Sequence, residues 1–155
     1  MSFISDIRKK IGHDPVFMPA SAAIIVKDNK MLLQHRTDNG AWAIHGGGLE
    51  FGEDIIDGLE RELREELNIK PINPQMFNVY AGEDLHVKYP NDDEVYVVCT
   101  IYIVRDYEGE ITPDNDEVSE VKWFDFDNLP ENLHKPDIRP IYDVINYLKK
   151  SKFMK

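Results

Sequence analysis

The stretch from Gly46 to Ile69, GGGLEFGEDIIDGLERELREELNI, constrains this chain more than any other. Its opening glycines suit a loop whose backbone must approach another group closely. The acidic turn Glu50-Phe51-Gly52-Glu53 follows, and then a helix dense with glutamate. Asp54 is a fitting N-cap, and Asp57 stands where a short capping-box partner can reach back. Ile56, Leu59, Leu63 and Leu67 recur three or four residues apart, which predicts one buried stripe. Glu62, Glu65 and Glu66, at i, i+3 and i+4, are neighbours on a different face. Three like charges there repel one another, so something positive should offset them. Arg61, one turn before Glu65, can pair with it. The remaining charge suits Mg2+ or Mn2+, which prefer carboxylate, carbonyl and water oxygens. Asn68 stands where a residue tolerant of the left-handed conformation ends a helix. A solvated acidic face is the plain alternative for three glutamates alone. The glycine loop at a fixed distance favours a phosphate pocket with cations held against it.

Gly47, Glu53, Arg61-Glu62-Leu63-Arg64-Glu65-Glu66 and Ile69 together resemble the signature of the Nudix hydrolases. That pattern is Gly, five residues, Glu, seven residues, then Arg-Glu-apolar-any-Glu-Glu-any-Gly-apolar, and this chain departs from it only at Asn68. Asn takes the same left-handed backbone, so the departure is mild. The resemblance implies that Glu62, Glu65 and Glu66 are metal ligands together with the Gly46 carbonyl. It implies that Glu53 either orients Arg61 or touches a second metal, orientation being favoured. It implies that an arginine near Arg36 approaches a substrate phosphate, against the alternative of a surface ion pair. The family commonly has proline where this chain has His45, which either contacts substrate or is merely tolerated.

The chain has 155 residues, 42% apolar and 30% charged, as expected for one globular domain over residues 1–155. Residues 1–18 read as an N-terminal helix and connector, with Phe3, Ile4, Ile7 and Ile11 forming a weak stripe. That helix would pack on the domain or on a second copy, which leaves a homodimer open. A net charge of −11 argues against a general nucleic-acid or membrane binder. Cys99 is the single cysteine and reads as a core residue. With no apolar leader at MSFISDIRKK, the expected location is the cytoplasm.

Ser21–Val26 and Met31–Arg36 read as a hairpin with Leu33 inward and His35 or Arg36 toward the pocket; Gly12–Pro19 reads as a connector. Trp42–Ile44 reads as a short strand entering the glycines. Met76–Tyr89 and Glu94–Arg105 read as long strands, the second buried on both faces, and Val121–Phe126 as another. Ile141, Val144, Ile145 and Leu148 predict an amphipathic C-terminal helix with Pro140 in its first turn. The expected class is α+β, an α/β/α sandwich with a mixed β-sheet flanked by helices.

The resemblance implies cleavage of the pyrophosphate linkage of a nucleoside diphosphate derivative, by water that a bound metal activates. Glu62 and Glu65 on the helix, and Glu117 and Glu120 in a later acidic loop, are the candidates for the base. Substrate contacts are expected from Arg36, His45, Tyr89, Glu117 and Glu120. Trp42, Tyr80, Tyr89 and Tyr96 offer aromatic surface for stacking, although strand aromatics usually face a core. A regulator that binds nucleotide without turnover is the alternative; it should have lost a helix glutamate, and none is missing.

Overall fold

A strand as apolar as Ala20 to Val26 must be covered on both faces, because successive side chains point to opposite sides. The computed structural model of the chain, which describes residues 3–116 and 118–153, meets that demand with a helix on each side. The elements run α1 (Phe3–Ile11), β1 (Val16–Lys27), β2 (Lys30–Arg36), β3 (Trp42–Ala43), β4 (His45–Gly48), α2 (Ile55–Leu67), β5 (Lys70–Ile72), β6 (Gln75–Tyr80), β7 (His86–Lys88), β8 (Glu94–Val104), β9 (Asp106–Glu108), β10 (Val118–Asp125) and α3 (Ile138–Phe153). Ala23 and Ile25 pack with Leu32, Leu59, Leu63 and Leu67 beneath α2. Ala22 and Ile24 pack with Leu33, Ile101, Ile103, Ile141, Val144 and Ile145 beneath α3. The fold is α+β, a mixed sheet between helices.

The sheet order is β10-β2-β1-β8-β6, with β3 on β2, β4 on β1 and β7 on β8, while β5 and β9 form a separate pair. β1 and β8 run parallel from Val16 opposite Val95 to Ile25 opposite Val104. The other edge of β1 is divided. Ile25–Lys27 pair with β2, and Ala20–Ala23 pair with β4. The strands β2 and β4 therefore diverge along a shared neighbour, and the glycines lie at the fork.

Several boundaries differ from the sequence reading. β1 begins at Val16 and runs through Pro19, where a connector was expected. Pro19 is tolerated because on the β4 side it offers only its carbonyl, which accepts from Leu49 N–H at 2.9 Å. The expected strand Met76–Tyr89 is broken between β6 and β7, with Gly82 at φ 125° and a 3-10 turn over Glu83–Leu85. Trp42–Ile44 divides into β3 and β4 at Ile44, whose N–H is taken by the Asp137 carboxylate at 3.0 Å. The small β5–β9 pair carried too few residues to show a period. The N-terminal helix forms as read but buries no residue of its own. Arg8 ties it to the carbonyls of Asp14 and Glu94, and Phe3 meets Phe51 with ring centroids 4.8 Å apart.

α2 owes its position to its stripe and its caps. Leu59, Leu63 and Leu67 are completely buried. Asp54 Oδ1 accepts from Ile56 N–H at 3.0 Å, and Asn68 closes the helix in the left-handed region at φ 59°. The last-turn carbonyls of Glu66 and Leu67 accept from Asp114 and Thr112 N–H at 2.9 and 2.8 Å, so the end of the helix is satisfied by the chain after β9. Leu63→Ala should lower the unfolding free energy by about 2–5 kcal/mol; urea titration checks this, and a change below 1 kcal/mol by order of magnitude would show that α2 is not anchored by this stripe.

Candidate active site

The glycines at the fork are required by close contact. A Cβ on Gly46 would stand 2.3 Å from the Ser21 carbonyl oxygen, and one on Gly47 would stand 2.5 Å from Glu62 Oε1. The Glu62 carboxylate therefore occupies the space that any other residue at 47 would fill. Gly46 N–H donates to Glu66 Oε2 at 3.2 Å, so a second helix carboxylate is also seated on the glycine strand. Glu66 is buried, at 5% exposure.

Arg61 joins these parts. Its Nε donates to Glu53 Oε2 at 2.7 Å and its Nη2 to Glu53 Oε1 at 3.0 Å. Nη2 also reaches the Gly48 carbonyl at 3.0 Å. Nη1 donates to Glu62 Oε1 at 2.9 Å and to Glu65 Oε2 at 3.3 Å. The guanidinium beside Glu53 holds that carboxyl below the usual carboxylate range. The same hydrogen bonds to Glu53, with the charge of Glu62, raise the pKa of Arg61 against the opposing effect of its burial. Gly52, at φ 76°, permits the turn that brings Glu53 back over the helix.

A cavity of about 620 Å³ runs past this edge. Glu62, Glu65, Glu66, Gly46 and Gly47 line one end, and Arg36, Tyr89, His134 and Asp137 line the other. The donor set at the first end is all oxygen, which suits a hard divalent cation. Among the described residues, no three His, Cys, Asp or Glu side chains already stand around a common point at metal-binding distance. Arg61 instead engages two of the helix carboxylates, Glu62 and Glu65, and the Glu65 side chain is 56% exposed.

The remaining expected residues divide. Arg36 faces the cavity, in a bidentate pair with Asp38 at 2.8 and 2.6 Å, and this pairing raises its pKa. Tyr89 lines the same end, and burial raises its phenol pKa. His45 does not line the cavity. It is completely buried, with Nε2 3.0 Å from the Leu32 carbonyl and Nδ1 3.1 Å from the Gln34 side-chain oxygen. Burial pushes its pKa down to about 4. A neutral ring that donates to Leu32 must accept at Nδ1, which calls for the Gln34 amide to turn its nitrogen toward it. His45 is thus a core histidine, and the expected substrate contact fails for lack of access. Glu120 is exposed on β10 opposite His35 and away from the cavity; Glu117 lies outside the described residues. His35 turns from the cavity to Ser119 and Trp42.

Asp137 and His134 escaped the sequence reading. Their segment is drawn in by backbone bonds between Trp42 and residues Asn132 and His134, at 3.0 and 2.7 Å. No local pattern announces such a contact between distant segments. Burial lowers the His134 pKa to about 4 and pushes the Asp137 carboxyl up to about 7.

The comparisons with known proteins agree in direction. The model of the NUDIX domain matches residues 17–145. An ADP-ribose pyrophosphatase of Methanocaldococcus jannaschii is 33% identical over 111 residues, 70% of this chain and 62% of that protein. The nucleoside triphosphatase NudI of Escherichia fergusonii is 32% identical over 74% of this chain and 84% of its own length. The NAD-capped RNA hydrolase NudC of Vibrio parahaemolyticus is 31% identical over 76% of this chain, which spans 42% of that protein. A MutT NUDIX hydrolase from Burkholderia pseudomallei superimposes with a TM-score of 0.72, covering 82% of this chain and 97% of that one at 24% identity; the likeness is one of fold.

The raised Asp137 pKa has a consequence for stability. The unfolded chain ionises this carboxyl near pH 4, the folded one near pH 7, so folding takes up a proton between them and stability falls as pH rises through that window. Asp137→Asn keeps an oxygen for Ile44 N–H and carries no charge. The variant's melting temperature should gain on the wild type from about pH 4 to about pH 7 and hold its lead above that; a difference independent of pH would contradict the assignment.

Proposed function

The chain belongs to the NUDIX family, and from that footing we propose that it is a divalent-cation-dependent hydrolase of the pyrophosphate linkage in nucleoside diphosphate derivatives. The observation that carries the reading is the convergence of Glu62, Glu65 and Glu66 with Gly46 and Gly47 on one wall of a single cavity. The relatives support the substrate class, since their names give ADP-ribose, nucleoside triphosphates and NAD-capped RNA, all of which contain a phosphoanhydride.

The donor set fits Mg2+ or Mn2+. Glu62, Glu65, Glu66 and the Gly46 carbonyl would hold the ion, in a cradle that a side chain at 47 would fill. Such an ion offsets the negative phosphate oxygens and lowers the pKa of bound water. The chain's own groups then have separate tasks. Arg61, held from the side of the loop by Glu53 and Gly48, fixes the glycine turn against the helix. Glu62 or Glu65 accepts the proton of the attacking water. Arg36, its Nε and Nη2 held by Asp38, offers its Nη1 to a phosphate oxygen. Tyr89, His134 and Asp137, which also line the cavity, surround the group beyond the scissile bond; Asp137, its carboxyl pushed up to about 7 by burial, can accept a hydrogen bond as carboxylate and donate one as acid. A pairing of two copies through the exposed α1 is compatible with this arrangement and is not required by it.

Incubation with ADP-ribose, nucleoside triphosphates and dinucleotides in the presence of Mg2+ or Mn2+, in water enriched with oxygen-18, tests the proposal. A labelled phosphate product that requires the cation is expected. Glu66→Gln should lose about 10²-fold or more of turnover while its melting curve remains cooperative. Undiminished turnover in that variant would show that the helix carboxylates are structural.

A further inference from the structure

Ser21 lies in β1, completely buried, and its hydroxyl has no hydrogen-bond partner. A buried hydroxyl without a partner is costly, and alanine would fit the same space. Native interiors seldom keep such a group unless an absent ligand or another state of the molecule uses it.

The position of Ser21 narrows the use. It is the register partner of Gly47, and cross-strand partners project on the same face of a sheet. At Gly47 that face meets the Glu62 carboxylate, both of whose oxygens lie within 2.8 Å of where a Cβ would be. Ala23 and Ile25, which alternate with Ser21 along β1, both pack beneath α2. The Ser21 side chain therefore lies on the face that α2 covers, one cross-strand step from Glu62. Ser21 is also among the residues that border the cavity.

We propose that Ser21 is a positioning residue for Glu62: in the cation-loaded site its hydroxyl donates to the carboxylate oxygen that the ion leaves unused. In the present geometry Arg61 Nη1 holds Glu62 Oε1 at 2.9 Å, and the serine waits without a partner. Hydrogen bonds from outside the ligand set orient metal ligands, and their loss typically weakens metal binding about 10–100-fold. The inference rests on the cation site proposed above, so the test must separate the two.

Mn2+ binding to the chelator-treated full chain, read by the electron paramagnetic resonance of free Mn2+, and thermal melting in chelator would be measured for wild type, Ser21→Ala, Glu62→Gln and the double variant. Ser21→Ala should melt no lower than wild type, because an unsatisfied hydroxyl has been removed, yet bind Mn2+ about 10–100-fold more weakly. Added to Glu62→Gln, it should cause no further loss. A lower melting temperature would show a structural contact and overturn the inference, as would wild-type Mn2+ affinity in Ser21→Ala while Glu62→Gln binds weakly. A further loss in the double variant would show that the serine acts elsewhere. Unchanged affinity in Glu62→Gln would overturn the cation site itself.

Discussion

The Arg61 guanidinium is the tie on which the acidic edge depends. Without it, Glu62, Glu65 and Glu66 would gather negative charge on one helix face, with only repulsion among them. Arg61 spends its donors on Glu53, Glu62, Glu65 and the Gly48 carbonyl at once. Its side chain is 20% exposed, so these bonds are partly shielded from water. Charge-assisted bonds of that kind contribute about 1.5–3 kcal/mol each, against about 0–1 kcal/mol for a surface pair. A lysine could not replace it, because an ammonium lacks the planar fork that serves Glu53 and the helix together.

That tie is useful because the sheet forks beneath it. β1 gives one part of its edge to β2 and another to β4, and the glycines of β4 allow α2 to lie close enough for Glu62 and Glu66 to rest on the backbone. The buried leucines of α2 fix the depth of the helix, and Asn68 with the chain after β9 fixes where it stops. The opposite helix, α3, is entered through Asp137, whose carboxyl bonds Ile44 N–H. In this way α2 lines the cavity with its carboxylates, and the segment that leads into α3 lines it with His134 and Asp137. On the proposed function, one end handles the charge of the phosphates and the other selects the group attached to them.

The sequence made the acidic end legible because its information is local. Caps, stripe and carboxylates of α2 lie within one helix and repeat at its period, so Asp54, Leu63 and Asn68 behave as their positions imply. The apolar run Ser21–Val26 likewise read as a strand, and the structure covers its two faces with separate clusters. The other end of the cavity was hidden because it is assembled from β2, the loop at Tyr89 and the segment before α3. Asp137 and His134 gain their character from burial, which no spacing reveals. His45 stayed open between substrate contact and mere tolerance for the converse reason: its neighbours in sequence belong to the site, while its ring turns toward Leu32 and Gln34 in the core. The strand break at Gly82 and the start of β1 at Val16 depend on pairing partners far along the chain.

The most direct test of the account is a crystal structure of the chain grown with Mn2+, with the ion located by its anomalous scattering. The account predicts a peak bounded by the carboxylates of Glu62, Glu65 and Glu66 and the Gly46 carbonyl. Those side chains turned to bulk solvent, with no ion between the helix and the glycine strand at saturating Mn2+, would contradict it.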